Sequence, residues 1–402
     1  MHHHSAVQRQ CAFAFATPFL HPRVRAMKTT AAVLYQMKQP EPYAQTRPLV
    51  IEEVELPPPA AGEVLVELRG AGLCHSDLSV MNGSRPRPVP IILGHEASGI
   101  VRETGAGVRA FAPGDHVVFS FIPTCGNCVY CKTGKPALCV NGNRTNLAGT
   151  LLNGARRFSN PRGQCLHHHC GISAFAHHTI AAAESLVKID PALPLEIAAL
   201  FGCAIVTGVG AVLNTARVAP SESVAVFGLG GVGLSAVMGA TAAGASPIIA
   251  VDLLEHKLTL ARELGATHTV NSSQCDAVQA VKELSGGGVW HAFESAGDER
   301  VMAQAFHATR PGGNTVIIGL PDPSKQFSVP GGLISAEERV VRGSYMGSCV
   351  PRRDIPRFIE LYQAGRLPVN RLITRTLRLE EINEGFDSLA RGEAVRQMIR
   401  FD

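Results

Sequence analysis

The feature that most constrains this chain is the run Gly228-Leu229-Gly230-Gly231-Val232-Gly233, which stands directly after the apolar stretch Val224 to Phe227 and opens a segment of helical period. Alone, such glycines also occur in ordinary turns. Between a strand and a helix they let the backbone turn tightly and bring N–H groups and a helix N-terminus against a pyrophosphate. Asp252 follows 19 residues after Gly233, at the end of the next apolar run. A carboxylate there accepts hydrogen bonds from an adenosine ribose and repels a 2′-phosphate, which predicts NAD rather than NADP. Capping of the following helix is the other reading of Asp252. Further apolar runs at Ile248 to Val251, His268 to Val270, Val289 to Phe293, Thr315 to Ile318 and Val340 to Gly343 alternate with helix-period segments. Six strands so connected predict a doubly wound parallel sheet in an α/β fold.

At 402 residues the chain exceeds what one hydrophobic core usually serves, so a second domain is expected. Ahead of the glycine run, Lys28 to Thr124 shows short β-branched runs such as Val64 to Glu67 and Ile100 to Glu103 between Gly and Pro clusters, a β texture. After Tyr345, helices are expected at about Asp354 to Ala364 and Ile382 to Ala390, then a terminal strand from Arg396 to Phe401. Residues 1–26 carry Arg9, Arg23 and Arg25 and no acid, with an apolar run too short for a signal core; they are expected to lie outside the fold. From Met27 onward 34 bases meet 33 acids, which gives no case for nucleic acid. The charge-free stretches Ile197 to Ala216 and Ser223 to Val251 are long enough to span a bilayer. The second is broken by glycines and Pro247, so no membrane span is predicted and a soluble, cytoplasmic protein is expected.

Cysteine supplies a second constraint. Cys125, Cys128, Cys131 and Cys139 form a Cys-x2-Cys-x2-Cys-x7-Cys cluster. Four thiolates at that spacing can close a tetrahedral shell around one Zn²⁺, and a closed shell is structural; a redox pair or an iron–sulfur site are the competing readings. Cys11, Cys165, Cys170, Cys275 and Cys349 are read as reduced thiols. A third pattern is dispersed: Cys74-His75-Ser76-Asp77, Gly94-His95-Glu96, and Gly202-Cys203 followed by Thr207-Gly208. Taken singly, His95 reads as a satisfied structural histidine and Cys203 as core packing.

Together with the four-cysteine cluster and the glycine run, these residues resemble the zinc-containing alcohol dehydrogenases of the medium-chain dehydrogenase/reductase family, over roughly Met27 to Asp402. The resemblance implies a GroES-like, β-rich catalytic domain over 27–204 and 346–402 and a Rossmann domain over 205–345. It implies two zinc ions per chain: a catalytic one held by Cys74, His95 and Cys203, which leaves one position open, and a structural one in the four-cysteine shell. It also implies that Ser76 bonds the substrate oxygen, that Asp77 orients the histidine ligand and that Glu96 lies beside the zinc. Thr207 would pack near the nicotinamide, and Lys257 and Arg396 would contact NAD, with solvated surface charge as their other reading. The substrate would be a small alcohol or aldehyde, and the assembly a homodimer, with a tetramer as the alternative.

One departure concerns the proton relay: many relatives have a histidine five positions after the first cysteine ligand, where this chain has Ser79, leaving direct solvent access or His75 to finish the relay. The run Cys165-Leu-His167-His168-His169-Cys170 has the donor types of a third metal site. By resemblance it instead precedes a strand, Gly171 to Phe175, and places His169 or Cys170 near the pocket, with Phe121 on its wall. Arg85 and Arg87 fall where the pocket entrance is expected. The runner-up activity is S-(hydroxymethyl)glutathione dehydrogenase, in the same family. The non-enzymatic alternative, a zinc-structured dinucleotide-binding protein, has no need of Cys74, His95 and Cys203 together.

Overall fold

The computed structural model describes residues 26–401, so the reading of residues 1–26 as a leader falls outside it except for its last residue. Six strands, Val224–Phe227, Ile248–Asp252, His268–Asn271, Val289–Glu294, Thr309–Ile317 and Val340–Gly343, form one wholly parallel sheet. Numbered in chain order, they lie as 3-2-1-4-5-6. The order reverses between Val224–Phe227 and Val289–Glu294, and a crevice opens outside the carboxyl ends of strands at such a switch point. The central strand is buried over its whole length, as expected where helices cover both faces of a sheet.

A second, seven-stranded sheet takes Glu63–Gly72, Glu96–Thr104, His116–Phe119, His178–Ala182 and Leu186–Lys188 from the first half of the chain, and Ile373–Leu377 and Arg396–Arg400 from its end. Arg396–Arg400 pairs antiparallel with Gly70 to Gly72. The terminal strand therefore delivers Arg396 next to the segment that carries Cys74. A four-stranded sheet, ordered Leu49–Leu56, Met27–Leu34, Ile91–Ile92, His167–His168, flanks it. The helices expected after Tyr345 are found at Pro351–Gln363 and Ile382–Ala390.

The strand expected over Gly171 to Phe175 is absent. Cys170, Gly171 and Ser173 have φ of 55°, 63° and 58°, left-handed values that end an extended run, and the pairing passes to His178–Ala182. The apolar stretch after Ile197 is two helical pieces, Leu195–Gly202 and Ala204–Ala216, bent by 52°, and no single described helix is long and apolar enough to cross a membrane. Cys203 is the break, with φ −139° and ψ −73°. Its neighbour Gly202 lies so close to the strand His116–Phe119 that a Cβ there would sit 2.6 Å from the Phe119 carbonyl oxygen. The bend is what turns the Cys203 thiol out of the helical core.

Candidate active site

A cleft of about 670 Å³ is lined at one end by Cys74, His95 and Cys203 and at the other by the glycine run and Asp252. The metal end is built by a chain of constraints. Cys74 immediately precedes the helix His75–Met81, and Asp77 lies buried in the first turn of that helix. Asp77 Oδ1 accepts from the Gly94 N–H at 3.0 Å and from His95 Nδ1 at 3.1 Å. With Nδ1 so committed, His95 Nε2 faces Cys203 Sγ at 3.4 Å. The three donor atoms of Cys74, His95 and Cys203 lie within 4.8 Å of one another.

Electrostatics agree with that geometry. Burial pushes the Asp77 carboxyl up, but the nearby imidazoles of His95 and His169 more than offset it and leave it at about 2. The Cys203 hydrogen bond holds the Cys74 thiol well below its ordinary value, while that same contact and burial raise the Cys203 thiol. Two converging sulfurs and an imidazole oriented by a carboxylate are the donor set and outer support that a three-ligand zinc site uses. These residues fit the ion.

Glu96 is buried beside them. Its Oε2 accepts from the Ala204 N–H at 2.9 Å and faces Arg396 at 3.3 Å, whereas Oε1 has no partner and lies 2.1 Å from where a Gly72 Cβ would be. Burial raises its carboxyl to about 7 against the pull of Arg396. Arg396 is only 3% exposed, so it is not a solvated surface charge. It also donates to the Leu73 carbonyl at 3.1 Å, and its Nε would sit 2.5 Å from a Cβ on Gly231. One guanidinium thus spans from the metal end to the start of the helix that opens at Gly231.

At the other end Gly228 has φ 86°, and a Cβ on Gly233 would fall 1.9 Å from the Gly228 carbonyl oxygen. The turn then opens the helix Gly231–Ala243, whose first N–H groups are unsatisfied within the helix. Asp252 accepts from the Leu229 N–H at 2.7 Å and from the Leu254 N–H at 3.0 Å, so the carboxylate is fixed against the turn itself. Thr207, Val232 and Lys257 line the same cleft. Thr207 is brought there by close helix contact, since a Cβ on Gly208 would lie 2.2 Å from the Val232 carbonyl oxygen.

Away from the cleft, Cys125, Cys128, Cys131 and Cys139 also bring their sulfurs within 4.8 Å of one another. Cys139 Sγ accepts from the N–H groups of Cys125 and Gly142, both at 3.4 Å, and Asn141 donates to Cys125 Sγ at 3.3 Å. Donors aimed at sulfur stabilise thiolates, as a closed zinc shell requires.

The sequence matches the family model of the alcohol dehydrogenase GroES-like domain over residues 60–191 and that of the zinc-binding dehydrogenase over residues 231–364. A Mycobacterium tuberculosis protein with the provisional name alcohol dehydrogenase D is 40% identical over 377 residues, covering 93% of this chain and 100% of the relative. This chain belongs to the zinc-containing alcohol dehydrogenases of the medium-chain family. An S-(hydroxymethyl)glutathione dehydrogenase of Escherichia coli is 39% identical over 380 residues, again 93% of this chain and all of the relative. Among solved structures, an alcohol dehydrogenase zinc-binding domain protein from Burkholderia ambifaria superposes with a TM-score of 0.89 at 36% identity, covering 94% of this chain and 100% of that one.

Within this alcohol dehydrogenase fold the histidine run does not converge. His167 Nε2 lies 3.4 Å from Arg156; His168 Nε2 accepts from the Arg157 N–H at 3.2 Å and its Nδ1 meets Ser173 at 3.3 Å. Only His169 turns inward, with Nδ1 2.9 Å from Asp77 Oδ1, an ion-pair distance off the hydrogen-bond line. Adjacent residues of a strand point to opposite faces, which is why a run of imidazoles makes a poor cage. Cys165 departs from the expected reduced state: it is disulfide-bonded, while nine other described cysteines are free. The expectation rested on the count of cysteines and their likeness to metal ligands, and neither reports which sulfurs meet.

Ser76 is exposed to the cleft; Ser79 spends its hydroxyl on the His75 carbonyl at 2.8 Å. His75 also lines the cleft, and its imidazole is held below its ordinary value by burial and by Arg396 and Lys257, against Cys74. Sequence reasoning missed Tyr345, which lines the pocket and stacks edge-on against Phe121 at 5.8 Å between ring centroids. Phe121 in turn meets His95 edge-on at 6.0 Å. A single tyrosine at the end of the sixth strand carries no sequence signal.

Proposed function

We propose that this chain catalyses the reversible oxidation of a primary or secondary alcohol with NAD. The observation that supports this reading is the sharing of one cleft by the ligand cluster Cys74, His95 and Cys203 and the glycine turn with Asp252. A zinc ion held by those three residues would supply Lewis acidity at its open position, and bound NAD would accept hydride. The protein's own tasks are orientation, proton handling and water exclusion. Asp77 fixes the His95 ring, and Ser76 Oγ accepts the alcohol proton as its own hydroxyl proton passes on to solvent or to His75. Phe121 and Tyr345 hold the substrate against the cluster. Arg396 and the Gly231–Ala243 N-terminus would hold the coenzyme pyrophosphate, Asp252 its adenosine ribose and Thr207 the nicotinamide, and Lys257 would supply a further cation.

A second reading, oxidation of S-(hydroxymethyl)glutathione, is supported by the relatedness to the Escherichia coli enzyme. NADH formation measured with aliphatic, benzylic and allylic alcohols and with formaldehyde plus glutathione separates the two. Absence of turnover with all of them, using a preparation that contains zinc, would remove both. We further propose a second zinc ion in the four-cysteine lobe. We also propose a homodimer, with a tetramer as the alternative. It is supported by the edge strand Val340–Gly343, whose Val340 and Val341 are 40% and 37% exposed. A cytoplasmic location is supported by the nine free cysteines and opposed by the bonded Cys165.

A further inference from the structure

Met346, Gly347 and Ser348 follow one another with φ of 51°, 60° and 52°. Glycine takes such left-handed values freely, but for methionine and serine they are unfavourable and persist only where the surroundings over-determine them. The run follows the strand Val340–Gly343 by way of Ser344 and Tyr345, and Ser344, Tyr345 and Met346 all line the cleft. Its backbone thus sets where the Tyr345 ring meets Phe121. On the same wall, Met346 Sδ accepts from the hydroxyl of Ser120, the neighbour of Phe121, at 3.8 Å.

The run is clasped by a side chain that does not line the cleft. Thr215 is 6% exposed, and its Oγ1 lies 2.9 Å from Ser344 Oγ and 2.8 Å from Ser348 Oγ. A hydroxyl has one proton and two lone pairs, so it bonds both serines at once. Those serines flank Tyr345, Met346 and Gly347. The Thr215 carbonyl also accepts from Arg342, in the strand before the run, at 2.9 Å. Its neighbour Asn214 donates to the Gly347 carbonyl at 3.4 Å and to Cys349 Sγ at 3.3 Å. Both residues belong to Ala211–Ala216, wound as a π-helix, a rare form frequent at functional sites. The helix Ala204–Gly210 seats the run from beneath: a Cβ on Gly347 would lie 2.1 Å from the Val206 carbonyl oxygen, and one on Gly210 2.7 Å from that of Gly347.

We propose that Thr215 is a positioning residue for the substrate pocket: through Ser344 and Ser348 it fixes the left-handed run, and the run fixes Tyr345 against Phe121. This rests on the alcohol dehydrogenase reading above and adds to it a residue outside the cleft that sets selectivity for alcohol size. Phe121 stands between His95 and Tyr345, with ring centroids 6.0 Å and 5.8 Å away. Tyr345 is therefore met only by alcohols whose apolar part extends well beyond the carbinol carbon. Thr215 matters for those and little for ethanol.

The test measures kcat and KM for ethanol, 1-hexanol and benzyl alcohol with the zinc-loaded enzyme. Thr215→Val keeps the side-chain shape and removes the hydroxyl. It should lower kcat/KM for the better of the two larger alcohols by roughly tenfold, chiefly through KM, the scale on which an apolar pocket feels a misfit of one methylene, and change ethanol by less than about twofold. Thr215→Ser, which keeps the hydroxyl, should restore most of the loss. In a Tyr345→Ala enzyme, Thr215→Val should not alter the ratio of larger alcohol to ethanol any further, because the two residues act as one unit. Independently of turnover, Thr215→Val should speed hydrogen exchange at the Ser348 and Cys349 amides, which donate to the Tyr345 and Met346 carbonyls at 3.0 Å and 3.1 Å. Should Thr215→Val fail to fold, Ser348→Ala removes one arm of the clasp at an exposed position and should give the same pattern more weakly. An equal loss for all three alcohols, no loss for any, no rescue by serine, an undiminished effect in Tyr345→Ala or unchanged exchange overturns the inference and leaves the proposed function standing. No turnover of any alcohol by the wild type overturns both.

Discussion

The two ends of the cleft are made in opposite ways. The coenzyme end is contiguous: residues 228–233 make the turn, and the next strand brings Asp252 back to bond the Leu229 N–H. The metal end is convergent: Cys74, His95 and Cys203 come from a helix start, the residue before a strand, and a helix break. Contiguous sites are held by backbone hydrogen bonds and tolerate side-chain change. Convergent ones depend on each side chain in turn. The coenzyme end also keeps its acid at the surface of the cleft, whereas the metal end buries Asp77 and Glu96 completely and leaves Asp77 Oδ2 and Glu96 Oε1 without partners. Such a site is sensitive to any loss of its compensating cations.

The largest effect should therefore come from the metal end. Cys203→Ser or His95→Ala is expected to lower kcat on the order of 10³-fold or more, because the Lewis-acid contribution is worth several kcal/mol. Bound zinc should fall from two ions per chain to one, with the melting transition largely retained. Cys128→Ser, in the lobe away from the cleft, should show the reverse pattern, a clear loss of thermal stability together with the other ion. Full activity at unchanged zinc content in Cys203→Ser would break the contrast between the two ends.

The same contrast explains what the sequence made legible. The glycine run, Asp252 and the six parallel strands were readable because each signal lies within a few residues or recurs with a strand–helix period, and Val224–Phe227 and Val340–Gly343 lie where expected. The four cysteines were readable by spacing alone. Cys74, His95 and Cys203 carried no joint signal except through resemblance, since nothing local says that Cys203, more than 100 positions after the other two, shares their site. The false strand at Gly171 to Phe175 failed on Ser173, whose left-handed backbone no composition rule anticipates. Arg396 was expected to contact the coenzyme or to be a solvated charge, and its place as the buried partner of Glu96 was not legible, because that contact is made only when the terminal strand closes the sheet.

Proton transfer sharpens the comparison one step out from the ligands. Ser76→Ala should reduce kcat for alcohol oxidation by roughly 10²–10⁴, the scale for a positioned proton-transfer group. Ser79→Ala should change kcat little, since that hydroxyl is spent on the His75 carbonyl four residues earlier. Equal effects of the two substitutions on kcat, at retained stability, would remove Ser76 from its assigned role.

Beneath the coenzyme end lies Glu294, at the end of the strand Val289–Glu294, fully buried with Oε2 unpartnered. Burial raises its carboxyl from 4.5 to about 7, against backbone N–H bonds that include Gly297 at 2.6 Å. The native state thus holds a proton there that the unfolded chain has released between pH 4.5 and about 7. Stability should decline as pH rises through that window, and stay lowered above it. Glu294→Gln keeps an acceptor for Gly297 and removes the ionisation. The variant should gain ~2–4 kcal/mol relative to wild type at pH 8, with no gain at pH 4, read from denaturant melts at both values. A constant difference across pH would mean that the Glu294 carboxyl titrates in the native state as it does in the unfolded chain, and that this end of the cleft also tolerates a buried charge at pH 8.

The smallest effect should come from the contiguous site's only acid. Asp252 accepts the Leu229 and Leu254 N–H groups that shape the turn, and in the proposed reading it would also set a charge against a 2′-phosphate. Asp252→Asn removes the charge and retains one acceptor oxygen; Asp252→Ser removes the charge and shortens the reach to both N–H groups. The wild type is expected to show a higher kcat/KM with NAD than with NADP, and Asn should narrow that preference by about 1–3 kcal/mol, as for loss of a charged hydrogen bond. Ser should narrow it similarly and also raise KM for both coenzymes, because the turn that meets the pyrophosphate is loosened. If Asn leaves the preference intact while Ser abolishes it, the acid serves the turn rather than the choice of coenzyme. Equal or better kcat/KM with NADP in the wild type would show that Lys257, which lines the same end, outweighs Asp252.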